Sequence, residues 1–192
     1  MTKREILFCI LLILTLITKS LLAQNNDTIG VSNILKANFL FPGLSYEQKV
    51  SKFKTFYFSA HLNSYVARST DYYGSQYYLF AGPAIDVEFR NYYNFNMRSK
   101  RNLRTNMNSV DYIAPIYIAT YVNSPANTQN RRLVQQIGVV WGMQRNYSRR
   151  FSLDINGGIG YLFNAKEIRN QLWPILQLRL GFWLNNKSKR HS

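Results

Sequence analysis

The chain has 192 residues, enough for one domain with a substantial interior and too few for two of ordinary size. Charged residues make up 17% and aromatic residues 15%, with 14 Tyr and 12 Phe, a profile that favours strands over helices. The formal charge of +15 would suit a nucleic-acid partner only in a cytosolic protein, and the single cysteine, Cys9, lies in a segment expected to be removed, which excludes disulfide and thiolate chemistry from the mature chain.

Residues 1–23 begin with Lys3 and Arg4, continue through an apolar run from Ile6 to Ile17 and end on Ala23 before Gln24, the layout of a secretory signal peptide. An uncleaved anchor competes for the same residues, but the run is shorter than the roughly 20 residues a spanning helix needs. Removing the segment leaves +13. The natural partner of such a charge outside the cytoplasm is a polyanion such as the phosphorylated lipid of a bacterial surface, and no nucleic acid is expected.

From residue 38 onward the pattern is strand after strand. Pro42-Gly43 in "NFLFPGLSYEQK" fits positions i+1 and i+2 of a type II turn and splits that region into a hairpin. In 55–68, Phe56, Phe58, Ala60, Leu62 and Val66 share one parity, and Tyr57, Ser59, His61, Asn63 and Tyr65 the other. "STDYYGSQ" at 69–76 reads as a loop, after which 82–93 sets Asp86, Glu88 and Arg90 against Ile85, Val87 and Phe89. A basic, turn-rich connection follows at 96–109. The run 111–122 is apolar on both sides and gives the weakest register. In 131–144 Leu133, Ile137, Val139, Trp141 and Met143 oppose Gln136, Gly138, Gly142 and Gln144. In 150–163 Phe151, Leu153, Ile155, Ile159, Tyr161 and Phe163 oppose Ser152, Asp154, Asn156, Gly158 and Gly160. The last run places Leu172, Leu176, Leu178, Leu180, Phe182 and Leu184 opposite Gln177, Arg179 and Gly181. About eight antiparallel strands result, each near or above the ~9–11 residues a tilted membrane-crossing strand requires. Pro83 and Pro115 fall inside strands of a barrel without edges, so each demands a bulge or a local break in pairing.

Alternation alone leaves open whether the hydrocarbon faces in or out. The polar face mixes glycines with acids, Arg, Asn and Gln instead of the Lys, Glu and Thr of a watered surface, which fits a cramped bore where each charge needs a partner. The expected inward network is Lys36, Glu47, His61, Asp86, Glu88, Arg90, Asp154 and Arg179, with the four carboxylates paired to Lys36, Arg90 and Arg179. On the oily parity Tyr77, Phe89, Tyr93, Phe151, Tyr161, Phe163 and Phe182 mark strand ends as girdles at two lipid boundaries would.

The leader ending in "LLAQ", the "NFLFPGLSYEQKV" hairpin, "FRNYYN" before a basic turn and "WPILQLRLGFWL" near the end together resemble the small outer-membrane β-barrel proteins of Bacteroidetes-type bacteria, with an OmpA/OmpX-like eight-stranded architecture. The resemblance spans most of 30–185 and implies a fold group more than a function. It implies periplasmic termini and periplasmic connections at 51–54, 95–109 and 146–150, and outward connections at 42–43, 69–76, 125–130 and 165–171. It also implies that the last strand is the signal to the barrel-assembly machinery, with Phe182 and Trp183 near its end, although "LNNKSKRHS" follows them.

His61 is the one histidine of the folded part and would need a nucleophile such as Ser59 and an acid to act as a base. Mid-strand and inward, it reads first as a hydrogen-bonded histidine of the bore. One histidine and no thiol make a metal site a poor fit, and "DINGG" at 154–158 lacks the further acids of a calcium loop. No cofactor is expected. Arg98, Lys100, Arg101 and Arg104, Arg149 and Arg150, and Lys187, Lys189 and Arg190 form basic clusters on the periplasmic side, suited to anionic headgroups or to a periplasmic partner. Tyr72, Tyr73, Arg131 and Arg132 are the candidates for surface recognition, the arginines toward lipopolysaccharide phosphates.

The expectation is therefore an all-β, non-enzymatic outer-membrane barrel over 32–184. A short periplasmic segment at 24–31 precedes it and a basic tail at 185–192 follows it. Two alternatives stay open: a lipid-A-modifying membrane enzyme using His61, and a secreted soluble barrel holding an apolar ligand.

Overall fold

The computed structural model describes residues 30–71, 74–123, 131–147, 150–163 and 171–184; for 64–71, 74–81, 122, 123, 131, 132 and 171 it describes the backbone alone. Eight strands, β1 (Ile34–Asn38), β2 (Gly43–Ser51), β3 (Lys54–Asp71), β4 (Gly74–Asn91), β5 (Asp111–Asn123), β6 (Arg131–Asn146), β7 (Phe151–Phe163) and β8 (Gln171–Trp183), pair in sequence order, and β1 closes on β8. Every pairing is antiparallel.

Stepping across the ladders from Lys36 leads through Ser45, Ser59, Asp86, Ile118, Gln136 and Leu162 to Gln171 on β8, whereas Lys36 itself pairs with Trp183, twelve residues further along. With strands ~4.8 Å apart and ~3.3 Å per residue, that stagger tilts them about 45° to the barrel axis. On β7, the path from Phe151 to Phe163 then climbs about 28 Å along the axis.

Period-2 alternation fixes the faces. Leu44, Ile85, Ile137, Val139, Ile159 and Leu176 point outward and are exposed, while Ser45, Asp86, Gln136, Val140, Asp154 and Arg179 point inward and are buried. β5, apolar on both sides, turns Tyr112, Ala114, Ile116 and Ile118 inward, where they join Val140 and Ile175 in an oily patch of the bore.

The prolines sit at interruptions. The β4–β5 ladder begins at Ala84, just past Pro83, and skips the pairs between Glu88–Ile116 and Asn91–Ile113, where Pro115 lies. A third strand proline, Pro174, pairs with Ile159 of β7.

Three expectations need correcting. Gly43 does not adopt the positive φ of a type II turn; it opens β2 opposite Asn38, and the bend is Phe39–Pro42. Glycine is required there for space, since a Cβ would stand 2.3 Å from the Ala60 carbonyl oxygen. The stretch 69–76 is mostly strand, with Ser69, Thr70 and Asp71 paired to Gln76, Ser75 and Gly74. Its turn-like composition belongs to a hairpin whose ladder runs almost to the tip. The connection at 96–109 is more than turns: α1 (Phe95–Lys100) and a 3-10 turn (Asn106–Asn108) fold across one end of the barrel.

That end is closed by side chains. Phe95, Val110 and Tyr92 pack with Val31, which precedes β1 and is itself buried, so part of the segment expected to lead into the barrel belongs to its core. Ser32 N donates to Asn108 Oδ1 at 2.7 Å and Asn108 Nδ2 returns a bond to Ser32 O at 2.9 Å. Met107 and Asn108 both hold positive φ, 55° and 60°, and the Met107 carbonyl accepts from Gln144 Nε2 and Asn146 Nδ2.

Candidate functional site: the charged bore

Alternate residues on neighbouring strands, facing one another across a narrow interior, bring seven ionisable groups into one layer. Arg90 of β4 is its centre. Nε donates to Glu88 Oε2 at 2.7 Å, Nη1 donates to Gln144 Oε1 at 2.8 Å, and Nη2 stands 2.8 Å from Asp154 Oδ2. The guanidinium carbon lies 3.8 Å from the Tyr57 ring centre and 4.2 Å from that of Tyr112, so planar cation and aromatic faces add to the ion pairs.

Gly142 makes this possible, because a Cβ there would fall 2.3 Å from the Tyr112 ring. Tyr112 in turn donates its hydroxyl proton to Asp154 Oδ1 at 2.7 Å.

Arg179 of β8 holds the next level. Its Nη2 reaches Glu88 Oε1 at 2.7 Å and Asp86 Oδ2 at 3.0 Å, and donates to Gln177 Oε1 at 2.5 Å. On the other side Glu47 accepts from Thr55 Oγ1 at 2.8 Å and from the Tyr92 hydroxyl, with Lys36 Nζ 3.9 Å away. Arg90 is wholly buried, as are Glu47, Asp86 and Glu88. Charges this deeply buried require mutual compensation.

The eight residues of the expected network therefore all line the bore. The expected network left out Tyr57, Tyr92, Tyr112, Gln144, Asn156 and Gln177, which complete it, although alternation places Tyr57, Gln144, Asn156 and Gln177 on polar faces. Tyr57 lies on the polar parity of β3, a readable signal, whereas Tyr112 is on the strand whose register the sequence leaves weakest and Tyr92 follows the end of β4.

The His61 side chain is only 9% exposed. Its Nδ1 lies 3.2 Å from Ser59 Oγ and 3.9 Å from Asp86 Oδ2. Serine and acid thus address the same ring nitrogen. A nucleophilic relay holds them on opposite nitrogens, an arrangement this trio does not have. Asp154 and Asn156, read against a calcium loop, stand in strand β7 facing inward. Among the described residues no three His, Cys, Asp or Glu side chains could hold a metal ion.

Outside, Phe151 and Phe182 form a cluster with Phe39 and Tyr147, at ring separations from 5.7 to 6.4 Å. Phe89 packs on Phe56 at 5.0 Å, and Tyr93 accepts a 2.8 Å bond from the Trp141 indole. Tyr161 is exposed and Phe163 half-exposed at the far end of β7. The side chains of Tyr77, Arg131 and Arg132, and the whole of Tyr72 and Tyr73, lie outside the described residues, as do Arg149 and the tail from 185. Lys100, Arg101 and Arg104 are exposed beneath the barrel, with Arg98 partly covered.

No family model, curated protein or solved structure matches the chain.

Proposed function

We propose that the chain is an integral outer-membrane β-barrel that contacts lipid with its outer face, keeps its bore closed to diffusion, and serves a structural or surface-interaction role without catalysis. One observation carries the reading: hydrocarbon and charge are inverted relative to a water-soluble barrel. Ile159 is 57%, Leu172 66% and Leu176 83% exposed, while the ionic layer inside is buried. The ~28 Å climb along β7 is comparable to the ~25 Å apolar band of outer-membrane barrels. Export by the leader at 1–23, delivery to the barrel-assembly machinery and contact with lipopolysaccharide complete the proposal. A secreted carrier of an apolar ligand would want its hydrocarbon inside, and a lipid-A-modifying enzyme would want His61 between Ser59 and Asp86.

Membrane fractionation and a detergent gel test it. The chain should be found with the outer membrane and should migrate differently boiled and unboiled; recovery as a soluble protein without detergent would overturn the reading. Val139 offers a quantitative check, being exposed near the middle of the proposed band. Val139→Arg should cost about 2–4 kcal/mol in refolding into lipid vesicles, against almost nothing at a watered surface.

A further inference from the structure

The barrel wall has uneven height. β1 has 5 residues and β2 has 9, against 18 each in β3 and β4 and 13 in β8. The β1–β2 hairpin stops where Phe39 N donates to Leu180 O on one side and Leu62 N donates to Pro42 O on the other. Above those bonds, among the described residues, β8 pairs only with β7 and β3 only with β4.

Among the described residues the edge of β8 is unpaired above Leu180 up to Gln171, a climb of about 20 Å at the 45° tilt. β3 faces it across three interstrand spacings, about 14 Å. Even-numbered residues of β8 aim their backbone groups at this gap, as Leu180 O and Leu184 N do toward β1. Pro174 has the same parity, so its missing N–H falls on the unpaired side.

Open strand edges do not survive against hydrocarbon unless polar matter meets them. The gap therefore joins a greasy surface to a polar one. Leu40 and Phe41 of the hairpin, with Leu176 and Leu178 of β8, line a groove of about 520 Å³ that also reaches Asn156 and Gln177. Gln177 donates to Asp86 Oδ2 at 3.0 Å, and Asn156 Oδ1, on the groove's lining, has no hydrogen-bond partner. The bore holds four carboxylates, Glu47, Asp86, Glu88 and Asp154, against three basic groups, Lys36, Arg90 and Arg179, which disfavours an anionic head.

We propose that this lateral gap binds one membrane amphiphile, its acyl chain along Leu40, Phe41, Leu176 and Leu178, and an uncharged, hydrogen-bond-donating head turned to Asn156 and Gln177. The inference rests on the membrane reading above.

The test uses the full chain refolded in detergent, with 1-monopalmitoylglycerol as probe, palmitate as its anionic counterpart, and native mass spectrometry to count adducts. One monopalmitoylglycerol should remain bound per chain, with palmitate weaker by about tenfold. Leu176→Trp should fill the groove and weaken binding about tenfold, whereas Leu133→Trp, outward on β6, should leave it unchanged. Leu40→Trp, on the hairpin, is the second blocking variant should Leu176→Trp not refold, refolding being scored by the unboiled gel shift. Many adducts per chain, equal binding by wild type and blocking variant, or a preference for palmitate would overturn the assignment. A chain that inserts into vesicles yet holds no saturable adduct defeats this inference alone; one that does not insert defeats the membrane reading as well.

Discussion

The two halves of the bore use the same strands and the same alternation, yet they end differently. In the lower half, Arg90 is enclosed by Glu88, Asp154, Gln144 and two tyrosine rings, and the segment 92–110 closes the mouth through Phe95 and the Asn108–Ser32 exchange. In the upper half, Gln177 is partly exposed and the wall beside it falls away where the hairpin stops. The difference lies in loop and hairpin length. A few residues added or omitted between strands decide whether a polar interior is dry or reachable.

The contrast would be broken most severely by Arg90→Ala. Removing the guanidinium leaves Arg179 alone among Asp86, Glu88 and Asp154 in a buried layer, and taking one partner from a buried ion-pair network typically costs about 3–5 kcal/mol. Urea unfolding in detergent should show a loss of that size. A loss under 1 kcal/mol would mean that water enters the lower bore freely.

Asn108→Ala should cost less, about 1–3 kcal/mol, because it removes both bonds to Ser32 from a buried site. Its effect should be local. Hydrogen exchange and proteolysis should quicken in 92–110 while the β3–β4 amides keep their protection; uniform loss across the barrel would show that cap and wall form one cooperative unit.

Gln177→Ala should cost least, about 1 kcal/mol or below, even though it removes bonds to Asp86, Asn156 and Arg179. Water replaces a hydrogen bond where the wall is low. A penalty as large as that of Arg90→Ala would erase the distinction between the halves.

The sequence alone determined the strand count, the parity of most strands and the inward set of charges. Asp86, Glu88 and Arg90 on alternate positions can share only one face, and period-2 geometry is local enough to read from neighbours. The breaks at Pro83 and Pro115 were equally legible, because a missing N–H must surface in the pairing. Only the tertiary structure decided the twelve-residue stagger, the stacking of Tyr57 and Tyr112 on Arg90, and the burial of Val31 beneath the barrel. It also decided that Gly43 answers to the Ala60 carbonyl and not to a turn. Each depends on which residue arrives from a strand or segment distant in sequence, and no local alternation records that distance.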